Sequence, residues 1–251
     1  MKLIADYHLH TYYSDGRCSV EEIARAAFEA GLLEIAITDH GPGHFLNGVR
    51  KKDKLYAEVM RAREDYAGRM DILFGVEANL MALDGCIDVE EKDWKLYDII
   101  LMGYHKTAVS LRSMLHFHGA ARLPFCKQRT IELTTRAYCA ALERYPIDIV
   151  VHPNYGARVD VAQLAAVAAK TGAALEINGN RNFMSLKEME AAKAAGAVFA
   201  INSDAHTTKR IGDTARAVRD AELAGIDARL VVNTREGPLL NCKKGDRAWN
   251  C

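Results

Sequence analysis

The sequence predicts an α/β protein in which about seven βα units form a parallel sheet that closes into a barrel. Short β-rich apolar runs alternate with longer helical patterns along the whole chain. No linker rich in proline, glycine or serine divides this array, and 251 residues is a usual length for one α/β barrel. We therefore expect residues 1–251 to form a single domain.

The first half of the chain contains four predicted strands and two long helices. Ser19 and Glu22 have the spacing of a capping box, and Gly31 is placed to end the helix that they begin. A second helix is predicted at about 51–67, and the pair Asp84-Gly85 indicates a small hairpin or loop. The strands are predicted at 4–8, 34–38, 72–76 and 99–103.

The second half continues the same alternation after a long connection at 107–124. A helix is predicted at about 126–144, Asp160 is expected to cap the next helix, and Ser185 and Glu188 form a second capping box. A last helix is predicted near 213–224, and a short apolar run at 229–232 lies beyond it. The strands of this half are predicted at 147–151, 174–177 and 198–202.

Composition argues against several classes of function. The chain carries 33 Lys and Arg residues and 33 Asp and Glu residues, without a block of like charge. A dedicated nucleic-acid or membrane-surface binder usually shows a basic patch, so neither partner is expected. No apolar run approaches the roughly 20 residues of a membrane span, and the N-terminus shows no targeting signal. Six cysteines without a C-x-x-C motif indicate reduced thiols, so we expect a cytoplasmic protein.

Histidines and carboxylates are concentrated at the C-terminal ends of the predicted strands. In a βα barrel these ends open on one face, where active sites lie. A single histidine at such a position is more often a half-buried structural residue, but a group of imidazoles and carboxylates on one rim requires cations between them. The group predicts a site with more than one metal. Its members are His8, His10, His40, His105, His152, His206, Glu77 and Asp204.

The spacing inside two of these motifs suits metal binding. In an extended segment residues i and i+2 point to the same side, so His8 and His10 can reach one cation. Asp204 and His206 repeat this spacing on the last strand. Mixed nitrogen and carboxylate ligation favours Zn²⁺, Mn²⁺ or Fe²⁺ over Ca²⁺ or Mg²⁺.

Seven motifs occur in a fixed order between residues 6 and about 212. They are "DYHLHTYYSDG", "ITDHG", "FGVEAN", "GYH", "VHPN", "EIN" and "NSDAH". This set resembles that of the PHP family, named for its polymerase and histidinol-phosphatase members, and within it the stand-alone phosphoesterases with three metals. The resemblance implies a distorted, TIM-like (β/α)₇ barrel with the metal site at the C-terminal ends of the strands. It also implies phosphoester hydrolysis with two to three divalent transition metals.

The resemblance further implies how nine ligands divide among three metals, with Glu77 shared by two of them. The first metal would be held by His8, His10, Glu77 and Asp204. The second would be held by Glu77, His105 and His152. The third would be held by Asp15, His40 and His206.

The chemistry expected of such a site uses a metal-bridging hydroxide. Two cations that share Glu77 would lower the pKa of a bridging water toward neutrality and place the hydroxide for in-line attack on phosphorus. The third cation would hold a phosphoryl oxygen and offset charge on the leaving oxygen. No protein nucleophile is needed. Asp204 and His206 are the candidates for proton handling.

Four further residues are candidates for substrate binding. Arg158 and Arg181 follow the fifth and sixth strands by a few residues, and a guanidinium at the rim would suit bidentate phosphate binding. His44 lies in a loop just past a metal-bearing strand, and Asn178 ends a strand on the same rim. The pair His116 and His118 copies the H-x-H spacing in the long connection, where we interpret it as a lid or surface segment outside the metal cluster.

These observations predict a phosphatase acting on a small-molecule phosphomonoester, either histidinol phosphate or a related ester. One alternative is an amidohydrolase-like C–N hydrolase, because those barrels also begin with H-x-H. They usually supply a carboxylated lysine as the metal bridge, and Glu77 in that position favours phosphoester chemistry. A second alternative is a 3'-5' exonuclease or phosphodiesterase of the PHP type acting on nucleotides, which the absence of a basic stripe disfavours. The sequence leaves the oligomeric state open.

Overall fold

Seven parallel strands lie in chain order in the computed structural model, which describes residues 1–106, 108 and 127–240. Each strand pairs in parallel with the next, the pattern of a βα barrel. The predicted barrel is therefore confirmed. The strands are β1 Ala5–Leu9, β2 Glu34–Ile37, β3 Asp71–Asn79, β4 Ile99–Gly103, β5 Ile149–Val150, β6 Ala174–Asn178 and β7 Val198–Asn202.

Helices alternate with the strands and begin largely where the sequence predicts. Both capping boxes form: the Ser19 and Ser185 hydroxyls accept hydrogen bonds from backbone N–H groups three residues later. The Asp160 carboxylate caps the helix that follows it. A four-residue helix, α3, was not predicted. The helices are α1 Val20–Glu29, α2 Lys52–Asp65, α3 Glu91–Trp94, α4 Lys127–Arg144, α5 Val161–Thr171, α6 Leu186–Ala194 and α7 Ala215–Leu223.

The barrel closes between its first and last strands through few backbone hydrogen bonds. The His10 N–H donates to the Ala205 carbonyl at 3.0 Å, and the Ala205 N–H donates to the His8 carbonyl at 3.2 Å. These bonds lie just beyond the C-terminal end of β7, so they hold the motif containing His8 and His10 beside the motif containing Asp204 and His206.

A buried side-chain amide completes the closure. Asn233 is fully buried. Its Nδ2 donates to the carbonyl of Ala5 at 2.9 Å and to that of Ile201 at 2.6 Å, while its Oδ1 accepts from the Ile201 N–H at 3.1 Å. One side chain therefore joins β1 to β7. The apolar run around it adds a 3₁₀ turn, Ala228–Leu230, and a single bridge from Val231 to Phe199.

Side chains alternate between the inside and the outside of the barrel. On β4, Ile99 and Leu101 belong to a small cluster inside the barrel, whereas Ile100 and Met102 pack in the larger layer between sheet and helices. Because successive residues point to opposite faces, the inward positions nearest the C-terminal strand ends all reach the same space. The functional side chains meet there.

Some expectations concern parts of the chain that the structure does not describe. The connection at 107–124 lies outside the described residues except for residue 108, and so do His116 and His118. In the described ranges, no helix combines the length and the apolar character needed to cross a membrane. The prediction that residues 1–251 form one domain stays a prediction.

Replacing Asn233 with alanine should destabilise the fold. The change removes three buried hydrogen bonds and leaves the backbone groups of Ala5 and Ile201 without partners, so we expect a loss of about 2–4 kcal/mol in the free energy of unfolding. Urea denaturation measures it. Asn180→Ala, at an exposed position, is the matched control and should change stability by less than about 0.5 kcal/mol. Equal midpoints for the two variants would contradict the proposed closure.

Candidate metal centre

The C-terminal ends of the strands bring the nine predicted ligands together. Their ligand atoms form four overlapping groups, and within each group the atoms lie within 4.8 Å of one another. Whether these side chains hold metals stays a prediction at this point. The groups are His10, Asp15, His40 and His206; His8, His10 and Asp204; His8, Glu77 and His152; and His40, Glu77 and His105.

Glu77 lies at the centre of the cluster and is fully buried on β3. Its Oε1 lies 2.8 Å from Nε2 of His152 and 3.3 Å from Nε2 of His105. Its Oε2 lies 3.5 Å from Nε2 of His8 and 3.6 Å from Nε2 of His10. The two carboxylate oxygens therefore face separate sets of imidazoles, two at Oε1 and three at Oε2, where His40 also approaches. This is expected of a carboxylate that bridges two cations.

Several buried atoms of this cluster make no hydrogen bond with the described residues. They include Oε2 of Glu77 and Nε2 of both His8 and His10. Nδ1 of His40 lies 2.7 Å from Oε2 of Glu77, but its orientation makes no hydrogen bond. Since buried polar groups are almost always hydrogen-bonded, atoms that face one another in this way fit a bound cation. Imidazole nitrogens with carboxylate oxygens suit a divalent transition metal.

The group that contains Asp15 lies at the outer side of the cluster. Oδ2 of Asp15 is 3.4 Å from Nε2 of His40, and its Oδ1 is 3.2 Å from Nε2 of His206. The His206 side chain is 35% exposed and that of His40 is 7% exposed, so this group reaches toward solvent. His10 approaches from the inner side, with its Nδ1 3.7 Å from Oδ1 of Asp15.

Two of the cluster residues have left-handed backbone conformations. His152 has φ of 31° and Asp204 has φ of 52°, values that cost a residue other than glycine of order 1–3 kcal/mol. The His152 N–H donates to Oε2 of Glu176 at 2.9 Å, and Oδ2 of Asp204 accepts from Nδ2 of Asn178 at 3.1 Å. These bonds hold both residues in conformations that turn their side chains toward Glu77.

Glu176 is the functional residue that the sequence analysis missed. It is fully buried on β6 and touches no solvent. Its Oε1 accepts from Nδ1 of His8 at 2.8 Å and from Nδ2 of Asn202 at 3.0 Å, while Oε2 accepts from the His152 N–H and from Asn178. Glu176 thus orients two candidate ligands. Its place in the "EIN" motif, two residues before Asn178 on an inward-facing strand, was the signal that could have found it.

Asn79 and Asp88 support the other side of the site. Oδ1 of Asn79 lies 2.8 Å from Nδ1 of His105 and fixes that ring. Oδ1 of Asp88 accepts from the Asn79 N–H at 2.7 Å, and Oδ2 accepts from the Gly43 N–H at 2.8 Å. A Cβ at Gly41 would lie 2.5 Å from the Asp88 oxygens, so this close approach requires glycine. Asp88 therefore couples the position of His105 to the loop that follows His40.

Asp39 shapes the loop that carries Asp15. It accepts hydrogen bonds from the Thr11 N–H at 2.7 Å, from the Thr11 hydroxyl at 2.6 Å and from the Ser14 hydroxyl. All of its contacts are with protein donors, so it acts as a structural partner of the site.

Burial and the closeness of carboxylates to imidazoles shift the pKa values of the cluster residues. Burial alone would raise the pKa of Glu77, but the surrounding imidazoles outweigh it and hold that pKa well below its ordinary value. Burial would lower the pKa of His40, yet the carboxylates of Glu77 and Asp15 raise it to about 10. For His10 burial dominates and lowers the pKa to about 4. The carboxylates are therefore ionised at neutral pH, the state in which they can ligate a cation.

A cavity of about 780 Å³ opens above the cluster. Its lining shows which of the predicted substrate-binding residues lie beside the metal site. His44 and Arg181 line it, together with Asn178. The His44 ring stacks on that of His40 with centroids 4.6 Å apart, and burial lowers the pKa of His44 to about 4. Arg158 is not among the described lining residues. Its guanidinium instead donates to Oε1 of Glu188 at 2.9 Å.

Comparisons with known proteins agree on family and fold. A model described as the PHP domain matches residues 6–180. A protein named probable phosphatase from Thermoanaerobacter sp. (strain X514) is 30% identical over 250 residues, which cover 95% of this chain and 94% of that protein. The DNA polymerase/3'-5' exonuclease PolX of Bacillus subtilis (strain 168) is 28% identical over 241 residues, covering 92% of this chain and 39% of that protein.

A solved structure shares the fold. The histidinol phosphate phosphatase from Lactococcus lactis subsp. lactis Il1403, complexed with zinc, L-histidinol and phosphate, superposes with a TM-score of 0.64. The alignment covers 89% of this chain and 94% of that one at 16% identity. At this identity the likeness concerns the barrel itself.

Replacing Glu176 with glutamine should weaken metal binding while the barrel still folds. Glutamine would point an N–H₂ group at donors on one side of the present carboxylate, so either His8 or the His152 N–H would lose its acceptor. We expect metal affinity to fall about 10–100-fold, as for other residues that orient metal ligands. Titration with Mn²⁺ and Zn²⁺ measures this. Glu190→Gln, on the exposed face of α6, is the control, and wild-type affinity in Glu176→Gln would refute the orienting role.

Proposed function

This chain belongs to the PHP domain family, and on that premise we propose that it is a metal-dependent phosphatase acting on a small-molecule phosphomonoester. The chain is a hydrolase with His, Asp and Glu clusters suited to metals. The observation that best supports the proposed reaction is the buried Glu77 carboxylate, whose two oxygens face separate sets of imidazoles. Histidinol phosphate and related phosphate esters are the substrates to test first.

We assign three divalent metals to this site. His8, His10, Glu77 and Asp204 would hold the first; Glu77, His105 and His152 the second; and Asp15, His40 and His206 the third. Bound there, such metals would supply Lewis-acid activation of water and neutralise phosphoryl charge. Zinc, manganese and iron all suit these ligands, and supply in the cell would decide among them.

The protein's own residues would orient the reaction and handle its proton. Glu176 and Asn79 hold the rings of His8 and His105, so the ligands need little reorganisation when substrate binds. Asp204 and His206 are the candidates for proton handling, and His206 is the more exposed of the two. A side chain that holds a metal is a poor free base, so either residue would exchange a proton with the leaving oxygen only while it is not bound to its metal.

Two other reactions remain as alternatives to be tested. An amidohydrolase-like C–N hydrolase would usually bridge its metals with a carboxylated lysine, whereas in this proposal Glu77 would be the bridge. A PHP-type 3'-5' exonuclease is favoured by one observation, the 28% identity with PolX over 92% of this chain. That relative is much longer, and this chain spans 39% of it.

The proposed function predicts both metal content and a reaction profile. Elemental analysis after gentle purification should find about two to three equivalents of transition metal per chain. The loaded protein should hydrolyse phosphomonoesters, with single-stranded DNA and simple amides as negative controls, and chelation should abolish the activity. A folded protein that never binds more than one metal, or that cleaves only DNA or amides, would refute the proposal.

Glu77→Gln should remove most of the activity. The substitution removes the negative charge of the carboxylate, whose two oxygens are both approached by imidazoles. Without that charge, at least one metal should be lost or held far more weakly. We expect kcat/KM for a phosphomonoester to fall at least about a hundredfold, roughly 3 kcal/mol in barrier. Metal content and circular dichroism, measured beside the wild type, separate this effect from unfolding.

Asp15→Asn should have a milder effect, because Asp15 is assigned to the third metal alone. Two metals and some residual turnover should survive this substitution. Loss of all metal in Asp15→Asn, or full metal and normal turnover in Glu77→Gln, would show that the ligands are divided in another way.

A further inference from the structure

A continuous aromatic wall leads away from the metal cluster along one side of the cavity. Tyr155 packs against the ring of His152 with centroids 5.1 Å apart, and Phe183 packs against Tyr155, also at 5.1 Å. Both aromatic residues line the cavity. Tyr155 is 42% exposed, so its ring is available to a ligand. The wall begins at His152, a candidate metal ligand, and continues through the rings of Tyr155 and Phe183.

The wall ends in a positive charge. The Arg181 guanidinium lies over the Phe183 ring, 5.0 Å from its centroid. Its backbone is tied to the site, since the Arg181 N–H donates to Oδ1 of Asn178 at 2.9 Å and Nδ2 of Asn178 donates to Asp204 at 3.1 Å. Arg181 therefore stands at a fixed place relative to the cluster. Among the described residues it forms no ion pair.

Arg181 is one of two cationic side chains, a lysine and an arginine, among the described residues that line the cavity. Lys106, directly after the candidate ligand His105, also lines it. The carboxylates that line the described cavity are Asp15, Glu77 and Asp204, all of which belong to the metal cluster. No described carboxylate of the outer wall could therefore pair with a cationic substituent. A leaving group with an ammonium group would meet Arg181 and Lys106, whereas an anionic one would be attracted by both.

We propose that the Tyr155, Phe183 and Arg181 wall is a leaving-group subsite for an aromatic phosphate ester with a second anionic group at its far end. This inference rests on the proposed phosphatase function. The scissile phosphate binds at the cluster, the flat part of the leaving group lies along Tyr155 and Phe183, and its carboxylate or second phosphate reaches Arg181. Histidinol phosphate, whose leaving group is cationic, should then be hydrolysed less well than such an anionic ester.

Three phenyl phosphates that differ in one distant charge test the subsite. They carry a 4-(2-carboxyethyl), a 4-ethyl or a 4-(2-aminoethyl) substituent, and two methylene groups separate each charge from the ring so that the leaving phenols stay similar. We expect kcat/KM to be highest for the anionic ester, by about fivefold to tenfold over the neutral one, as for one charge-assisted contact. The cationic ester and histidinol phosphate should be poorest. The preference should shrink as salt is added.

Arg181→Gln identifies the residue responsible. It should lower kcat/KM for the anionic ester far more than kcat/KM for the neutral ester, so that most of the preference for the anionic ester is lost. Arg158→Gln is the matched control, because Arg158 pairs with Glu188 and does not line the cavity, and it should change nothing. Phe183→Leu should lower kcat/KM for all three esters and weaken the charge preference, because it removes the ring on which Arg181 lies.

The outcomes separate this inference from the proposed function. If metal-loaded protein hydrolyses no phosphomonoester at all, the phosphatase function is refuted and the subsite with it. If it hydrolyses other phosphomonoesters but none of these three, the subsite alone is overturned. Hydrolysis with equal kcat/KM for all three charges, or equal effects of Arg181→Gln and Arg158→Gln, would overturn the subsite alone. Unchanged kinetics in Phe183→Leu would overturn its aromatic part.

Discussion

The burial of the Glu77 carboxylate is the constraint on which the rest of this site depends. Taking an ionised carboxylate out of water costs several kcal/mol even in a real protein interior, and the cost is offset only by opposite charge at close range. Around Glu77 that charge comes from imidazoles, five of which lie within 3.6 Å of its oxygens without making a full set of hydrogen bonds. Such an arrangement is costly for protein alone and is relieved by cations.

The surrounding hydrogen bonds show how the fold holds this arrangement. Glu176 accepts from His8 and from the His152 backbone, and Asn79 fixes His105 while Asp88 fixes Asn79. Glu176 and Asn79 lie on different strands, β6 and β3, so the barrel itself sets the spacing of the ligands that they hold. The strained conformations of His152 and Asp204 persist because such bonds outweigh their cost.

The cavity combines two electrostatic environments with different tasks. The inner environment is a dense mixture of carboxylates and imidazoles that suits metals and a phosphoryl group. The outer one carries Arg181 and Lys106 beside an aromatic surface, and it can distinguish leaving groups by charge and shape. In the proposed function the reaction belongs to the inner region and substrate choice to the outer one, a division that would let loops change the substrate while the chemistry is kept.

The sequence by itself determined the βα order, the helix starts at Ser19 and Ser185, and the strand-end positions of the cluster residues. Those features depend on local spacing, which a chain displays directly. Only the tertiary structure decided which side chains meet. Arg158 and Arg181 look alike in sequence, yet one pairs with Glu188 and the other lies over Phe183 at the cavity. Glu176 likewise gained its role from partners on β1 and just after β5, because hydrogen bonds between strands are set by barrel closure and leave no periodic signal in the chain.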